Sequence, residues 1–127
     1  MTQTVNLTFM SGSRDGEVVQ LETAGSPPSI SIGLVAPCEL LITDDLDLSR
    51  RHTRIFWNGS AWMLEDMNSS NGTFIGEFQA ARKLSGASAI KEGEIFRVGL
   101  TRLRLSGVKS GHVAIAGAVA AANARRQ

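Results

Sequence analysis

The strongest constraint on this chain is periodicity. Apolar residues come in short alternating or continuous runs cut by turn residues, and no stretch up to Ser106 shows helical spacing. Val5, Leu7 and Phe9 alternate with Thr4, Asn6 and Thr8, the period-two mark of a strand with one face buried. The run Ser11-Gly12-Ser13-Arg14-Asp15-Gly16 turns the chain, with Asp-Gly as a hairpin signal, and Val18 to Leu21 reads as the returning strand. Gly25-Ser26-Pro27-Pro28 is a loop, because proline donates nothing to a ladder.

Ile30 and Ile32 form a short strand ending at Gly33, and the continuous run Leu40-Leu41-Ile42 predicts a strand covered on both faces. Ile55-Phe56-Trp57 and Trp62-Met63-Leu64 flank Asn58-Gly59-Ser60, a hairpin in which the two tryptophans are core or cross-strand partners. Thr73 to Ile75 reads as a strand, and Ile95 to Val98 pairs with Leu103 to Leu105 across Gly99-Leu100-Thr101. Glu77 to Ala89, with Arg82-Lys83 and a Ser85-Gly86-Ala87-Ser88 loop, has no clear period. The sum is an all-β sandwich of about ten short strands. With 127 residues, 43% of them hydrophobic, the chain can bury one domain core.

Two polar knots interrupt these strands. One is Ser49-Arg50-Arg51-His52, entered from Asp44-Asp45 and left through Thr53-Arg54-Ile55. The other is Asp66-Met67-Asn68-Ser69-Ser70-Asn71-Gly72-Thr73-Phe74, richer in hydrogen-bonding groups than a simple turn needs. Brought to one end of a sandwich, their hydroxyls, guanidinium and carboxamide form a cup of donors suited to an anion or an extended peptide backbone. Several bland readings compete. Ser49 also serves as a turn-closing serine, Arg50 as an ion-pair partner of Asp44, Asp45 or Asp47, and Asn71 as a residue that tolerates positive φ before Gly72. Asp66 reads as an acceptor for backbone N–H groups of its own loop, and Arg51 as solvent-facing.

Gly33, the run Ser49-Arg50-Arg51-His52, and Asp66-x-x-Ser69-x-Asn71-Gly72-Thr73-Phe74 followed by Gly93-Glu94-x-x-Arg97-Val98-Gly99 resemble the forkhead-associated (FHA) domain in order and spacing. The resemblance covers roughly residues 5 to 106. It implies a β-sandwich of two antiparallel sheets that reads phosphothreonine peptides with the loops at one end. It further implies that Ser49 and Ser70 touch the phosphate, that Asn71 holds the ligand's main chain, and that His52 braces the loops, with Gly33, Asp66 and Gly72 shaping them. One departure stands out: members that bind phosphate usually carry Gly-Arg where this chain has Gly33-Leu34. Ile75-Gly76-Glu77 is a lesser one, where the family often has an apolar residue and Asn-Gly.

Thirteen Lys and Arg against twelve Asp and Glu give a formal charge of +1, too balanced to favour nucleic acid. The single cysteine, Cys38, allows no intrachain disulfide and reads as a core thiol. His52 has no Cys or His at ligand spacing, so no metal or cofactor is expected, and no nucleophile–base pair or phosphate-cradling P-loop points to an enzyme. No apolar run approaches a membrane span, and the N-terminus lacks a signal pattern, so a cytoplasmic module is expected. Residues 1–107 read as the domain and 108–127 as an Ala-rich tail, linker or loose helix leading toward a larger multidomain protein.

The expected function is therefore a non-catalytic protein-interaction module whose loops grip a partner peptide, with Leu34 weakening phosphate dependence. Phosphate-independent members of this kind occur in bacterial secretion machinery and similar scaffolds. The alternative is a phosphothreonine-peptide reader using Ser49, Arg50, Ser70 and Asn71 in signalling.

Overall fold

A computed structural model describes residues 3–110 as eleven β-strands in two sheets. In chain order they are β1 (Gln3–Phe9), β2 (Val18–Glu22), β3 (Ser29–Gly33), β4 (Leu40–Leu41), β5 (Thr53–Trp57) and β6 (Trp62–Asp66). β7 (Thr73–Ile75), β8 (Arg82–Lys83), β9 (Ala87–Ala89), β10 (Ile95–Val98) and β11 (Thr101–Ser110) complete the set. One sheet has the order β2-β1-β11-β10-β7-β8 and the other β4-β3-β5-β6-β9. All pairings are antiparallel except β3 with β4, where Ile32 lies beside Leu40. The expected tail falls largely on residues 111–127, which lie outside the described residues; β11 itself runs through Ser110.

The alternation in the sequence becomes the core. Val5, Leu7 and Phe9 of β1, Phe96 and Val98 of β10, and Leu103 and Leu105 of β11 point inward from one sheet. They meet Ile30 and Ile32 of β3, Ile55 of β5 and Leu64 of β6 from the other. The Trp57 and Trp62 rings, paired across the β5–β6 hairpin, lie 5.4 Å apart and tilted by 58°. Asn58 closes that hairpin by accepting from the Ser60 and Ala61 N–H groups through its Oδ1.

The run Leu40-Leu41-Ile42 departs from expectation. Only Leu40 and Leu41 form a strand, and β4 is an edge strand that leaves Leu41 exposed while Leu40 and Ile42 are buried. The illegible stretch from Glu77 resolves into a short 3-10 turn at Phe78–Ala80, the edge strand β8 and the edge strand β9. No helix among the described residues is long and apolar enough to cross a membrane.

Strand ends place the loops. The β3–β4, β4–β5, β6–β7, β1–β2 and β10–β11 connections gather at one end of the sandwich, because Val98 lies opposite Thr73 and Phe9 opposite Leu103. Gly33 fixes the closest approach there: a Cβ on it would stand 2.0 Å from the Arg50 carbonyl oxygen and 3.0 Å from Cys38 Sγ. The same carbonyl accepts the Leu34 N–H at 3.0 Å, so the β4–β5 loop lies directly on the end of β3. Gly33→Ala must push that loop away. We expect a loss of ~1–3 kcal/mol, the usual cost of overpacking, seen as a lower urea midpoint with an unchanged slope.

Candidate functional site

The two polar knots meet. Ser49 lies in the β4–β5 loop, and its Oγ accepts the Ser70 N–H at 3.0 Å from the β6–β7 loop. Asn71 donates through Nδ2 to the Asp47 carbonyl at 2.8 Å. Ser49, Ser70 and Asn71 are thus neighbours at one end of the sandwich. One amide hydrogen of Asn71 is thus spent within the protein, while the residue itself is exposed. Asn71 is not in the left-handed region; in this loop Asn68 (φ 61) and Gly72 (φ 85) are. Tolerance of positive φ therefore does not explain Asn71.

His52 joins the loops from beneath, fully buried. Its Nδ1 accepts the Ser49 N–H at 3.0 Å, and its Nε2 is 2.8 Å from the Gly72 carbonyl oxygen. A backbone N–H can only donate and a carbonyl only accept, so the ring is the neutral tautomer protonated on Nε2. Asp66 organises the β6–β7 loop. Its carboxylate accepts the Ser69 N–H at 3.0 Å, the Ser69 hydroxyl at 2.6 Å and the Thr73 hydroxyl at 2.7 Å. Ser69 Oγ in turn accepts the Gly72 N–H at 2.8 Å, and Thr73 also contacts the Thr53 hydroxyl.

The remaining residues divide by environment. Arg50 is exposed, and among the described residues no carboxylate pairs with it. Of its candidate ion-pair partners, Asp45 is buried and accepts from the Leu100 N–H at 2.8 Å and the Thr101 hydroxyl at 2.6 Å, while Asp44 accepts the Ser13 hydroxyl. Arg51 is exposed. Leu34 is half-buried and packs against the hydrophobic core. Cys38 is buried, with its thiol directed at the Arg50 carbonyl; burial pushes its pKa up, which keeps it a thiol. Among the described residues no group of His, Cys, Asp and Glu could hold a metal.

Two features escaped the sequence. Asp45 pins the β4–β5 loop to the β10–β11 turn, though nothing in the pattern distinguishes it from Asp44 or Asp47. A hollow of about 150 Å³ also flanks the cup, with Phe9 and Ile42 at its wall and Leu46 and Leu100, 86% and 69% exposed, at its rim. Two exposed leucines beside turn residues were its only signal.

The FHA domain family model matches residues 30–99. The chain belongs to the FHA domain family. It is 34% identical over 80 residues to the FHA domain-containing protein FhaB of Mycobacterium tuberculosis, covering 63% of this chain and 48% of that protein. FhaB of Mycolicibacterium smegmatis is 35% identical over 83 residues, covering 65% of this chain and 50% of that protein. The chain thus spans about half the length of the curated relatives it matches. Among solved structures, the FhaA FHA domain complexed with the intracellular domain of Rv3910 is 28% identical, with a TM-score of 0.60 over 83% of this chain and 99% of that one. An FHA domain studied for phosphothreonine-dependent interactions is 27% identical, with a TM-score of 0.59 over 87% of this chain and 97% of that one.

The brace within this FHA domain carries a pH signature. Burial raises the Asp66 pKa, but the hydrogen bonds from Ser69 and Thr73 outweigh it and hold the carboxyl below its ordinary 3.8. A carboxyl depressed on folding contributes stability that is fully present above its unfolded value and is lost as pH falls through the folded one. We expect Asp66→Asn to flatten the acid limb of stability below about pH 4 and to cost ~1–3 kcal/mol at pH 7, measured by urea titration at both pH values.

Proposed function

We propose that this FHA domain is a non-catalytic interaction module whose loop end grips an extended peptide of a partner protein, with phosphate dependence weakened by Leu34. FHA homologues bind phosphothreonine peptides in protein–protein interactions, so a peptide is the ligand class to start from. In this reading Ser49 and Ser70 offer hydroxyl donors, Asn71 holds the peptide main chain with its second amide hydrogen and Oδ1, and Arg50 contributes charge at the rim. Gly33, His52, Asp66 and Gly72 keep the loops in place. The hollow beside the cup suits an apolar side chain of the same peptide. The domain would act as one module of a longer protein.

The observation that carries the weakened phosphate dependence is Leu34. At the position where the resemblance implies an arginine stands an apolar side chain packed against the core. A hydrogen bond to a charged group is worth ~1.5–3 kcal/mol, so a missing two-pronged arginine costs on the order of 10–1,000-fold in phosphopeptide affinity. The exposed Arg50, with no carboxylate partner among the described residues, favours the second reading, a phosphothreonine reader that has moved its cation.

One threonine peptide, phosphorylated and plain, titrated against wild type and Leu34→Arg separates the two. The disarmed site barely distinguishes the peptides, and Leu34→Arg gains ~1.5–3 kcal/mol for the phosphorylated one alone, less at high salt. Strong phosphate-dependent binding by wild type would overturn the disarmed site in favour of Arg50. Asn71→Ala should abolish binding of the preferred peptide in calorimetry while shifting the thermal midpoint by only a few degrees, since it removes one exposed hydrogen bond worth ~1 kcal/mol.

A further inference from the structure

The six-stranded sheet turns its second face to solvent, and that face is basic. Phe96 and Val98 of β10 and Leu103 and Leu105 of β11 are buried, so Arg97, Arg102 and Arg104 occupy the outward positions. Phe74 is outward between buried Thr73 and Ile75. The register places Lys83 opposite Phe74, Phe74 opposite Arg97 and Arg97 opposite Arg102. That is one row across four adjacent strands, roughly 14 Å long at the usual strand spacing. Arg104 stands on the same face two residues along β11.

The charge is segregated in space. β1, β7, β8, β10 and β11 contain no Asp or Glu, and Glu22 at the far edge is the only acid within the strands of this sheet. Since the whole chain carries only +1, its acids are concentrated elsewhere, in the β4–β5 loop (Asp44, Asp45, Asp47) among other places. Among the described residues Lys83, Arg97 and Arg104 form no ion pair with a carboxylate, and Arg102 is held by its Nη2 on the Met10 carbonyl.

The row is also pre-set. Arg97 Cζ lies 4.2 Å from the Phe74 ring centroid and its Nη1 donates to the Gly99 carbonyl at 2.7 Å, which holds the guanidinium flat with its other N–H groups uncommitted to that bond. The Lys83 stem lies against Gly72, where a Cβ would stand 2.5 Å from its Cε. Less side-chain freedom is therefore lost when an anionic partner arrives.

We infer that this face docks an acidic segment of a protein partner. Charge complementarity selects the occupant. A nucleic acid fits less well: the Phe74 ring is already covered by Arg97 and cannot stack a base.

The test uses fluorescence anisotropy with a labelled acidic peptide of Glu and Gly, without serine or threonine, so that the result does not depend on the loop-end cup. Single-stranded DNA of matched charge is run beside it. Wild type is expected to bind the peptide in preference to the DNA, and Lys83→Gln with Arg104→Gln to weaken binding roughly 3- to 20-fold. Raising the salt should weaken it as well. Circular dichroism confirms that the double variant is folded. No binding by wild type, equal binding by the double variant, equal weakening by Arg54→Gln on the other sheet, or a preference for the DNA would each overturn the proposal.

Discussion

The buried ring of His52 is the contact on which the loop end depends. It follows the β4–β5 loop on the five-stranded sheet, and its Nε2 reaches the carbonyl of Gly72, the residue that leads into β7 of the six-stranded sheet. Its other nitrogen fixes the N–H of Ser49. One ring thereby sets the spacing between both knots and ties the two sheets together. Buried polar groups left without partners cost more than a made hydrogen bond gains, so the Ser49 N–H and the Gly72 carbonyl constrain the loops alongside the apolar core beneath them. Asp45 makes the equivalent tie at the other side of the same loop, to Leu100 and Thr101.

These ties explain why short loops without regular structure can present a defined surface. Asp66, Ser69, Thr73 and Gly72 satisfy one another, Asn71 is anchored to Asp47, and Ser49 accepts from Ser70. Groups fixed in this way lose less freedom when a partner arrives than groups on an unbraced loop. Lys83 shows the limits of the available space: its stem fills the position a side chain at Gly72 would need, so glycine there serves close packing as well as positive φ.

Legibility in the sequence followed burial. Strands with one covered face, such as β1 with Val5, Leu7 and Phe9, print their alternation on the chain and were readable. β8 and β9 were not, because two- and three-residue edge strands are too short to show a period and bury little. Leu41 misled for a related reason: an apolar run reads as covered on both faces, whereas here it ends at a sheet edge. At the loop end, residue types at fixed spacing marked Ser49, His52, Asp66, Ser70 and Asn71 as candidates, and the structure brings them to one end of the sandwich. Which acid in Asp44-Asp45-Leu46-Asp47 would turn inward was not legible, because that choice is made by the β10–β11 turn more than fifty positions away.

The basic row was illegible for the deepest reason. Its members come from three separate segments, Lys83, Arg97 and Arg102 with Arg104, and only the register of β8, β7, β10 and β11 makes them neighbours. A net charge near zero hides such an arrangement completely, since the mean over the chain says nothing about its distribution. The consequence bears on Leu34. With Leu34 in the place the resemblance gives to an arginine, Arg50 is the cation at the rim of the proposed cup, whereas the sheet face carries Lys83, Arg97, Arg102 and Arg104. A partner drawn by charge would therefore meet the row first and the cup second. Affinity would then come from two modest contacts joined on one chain, which raises the effective concentration at the second without requiring either to be strong.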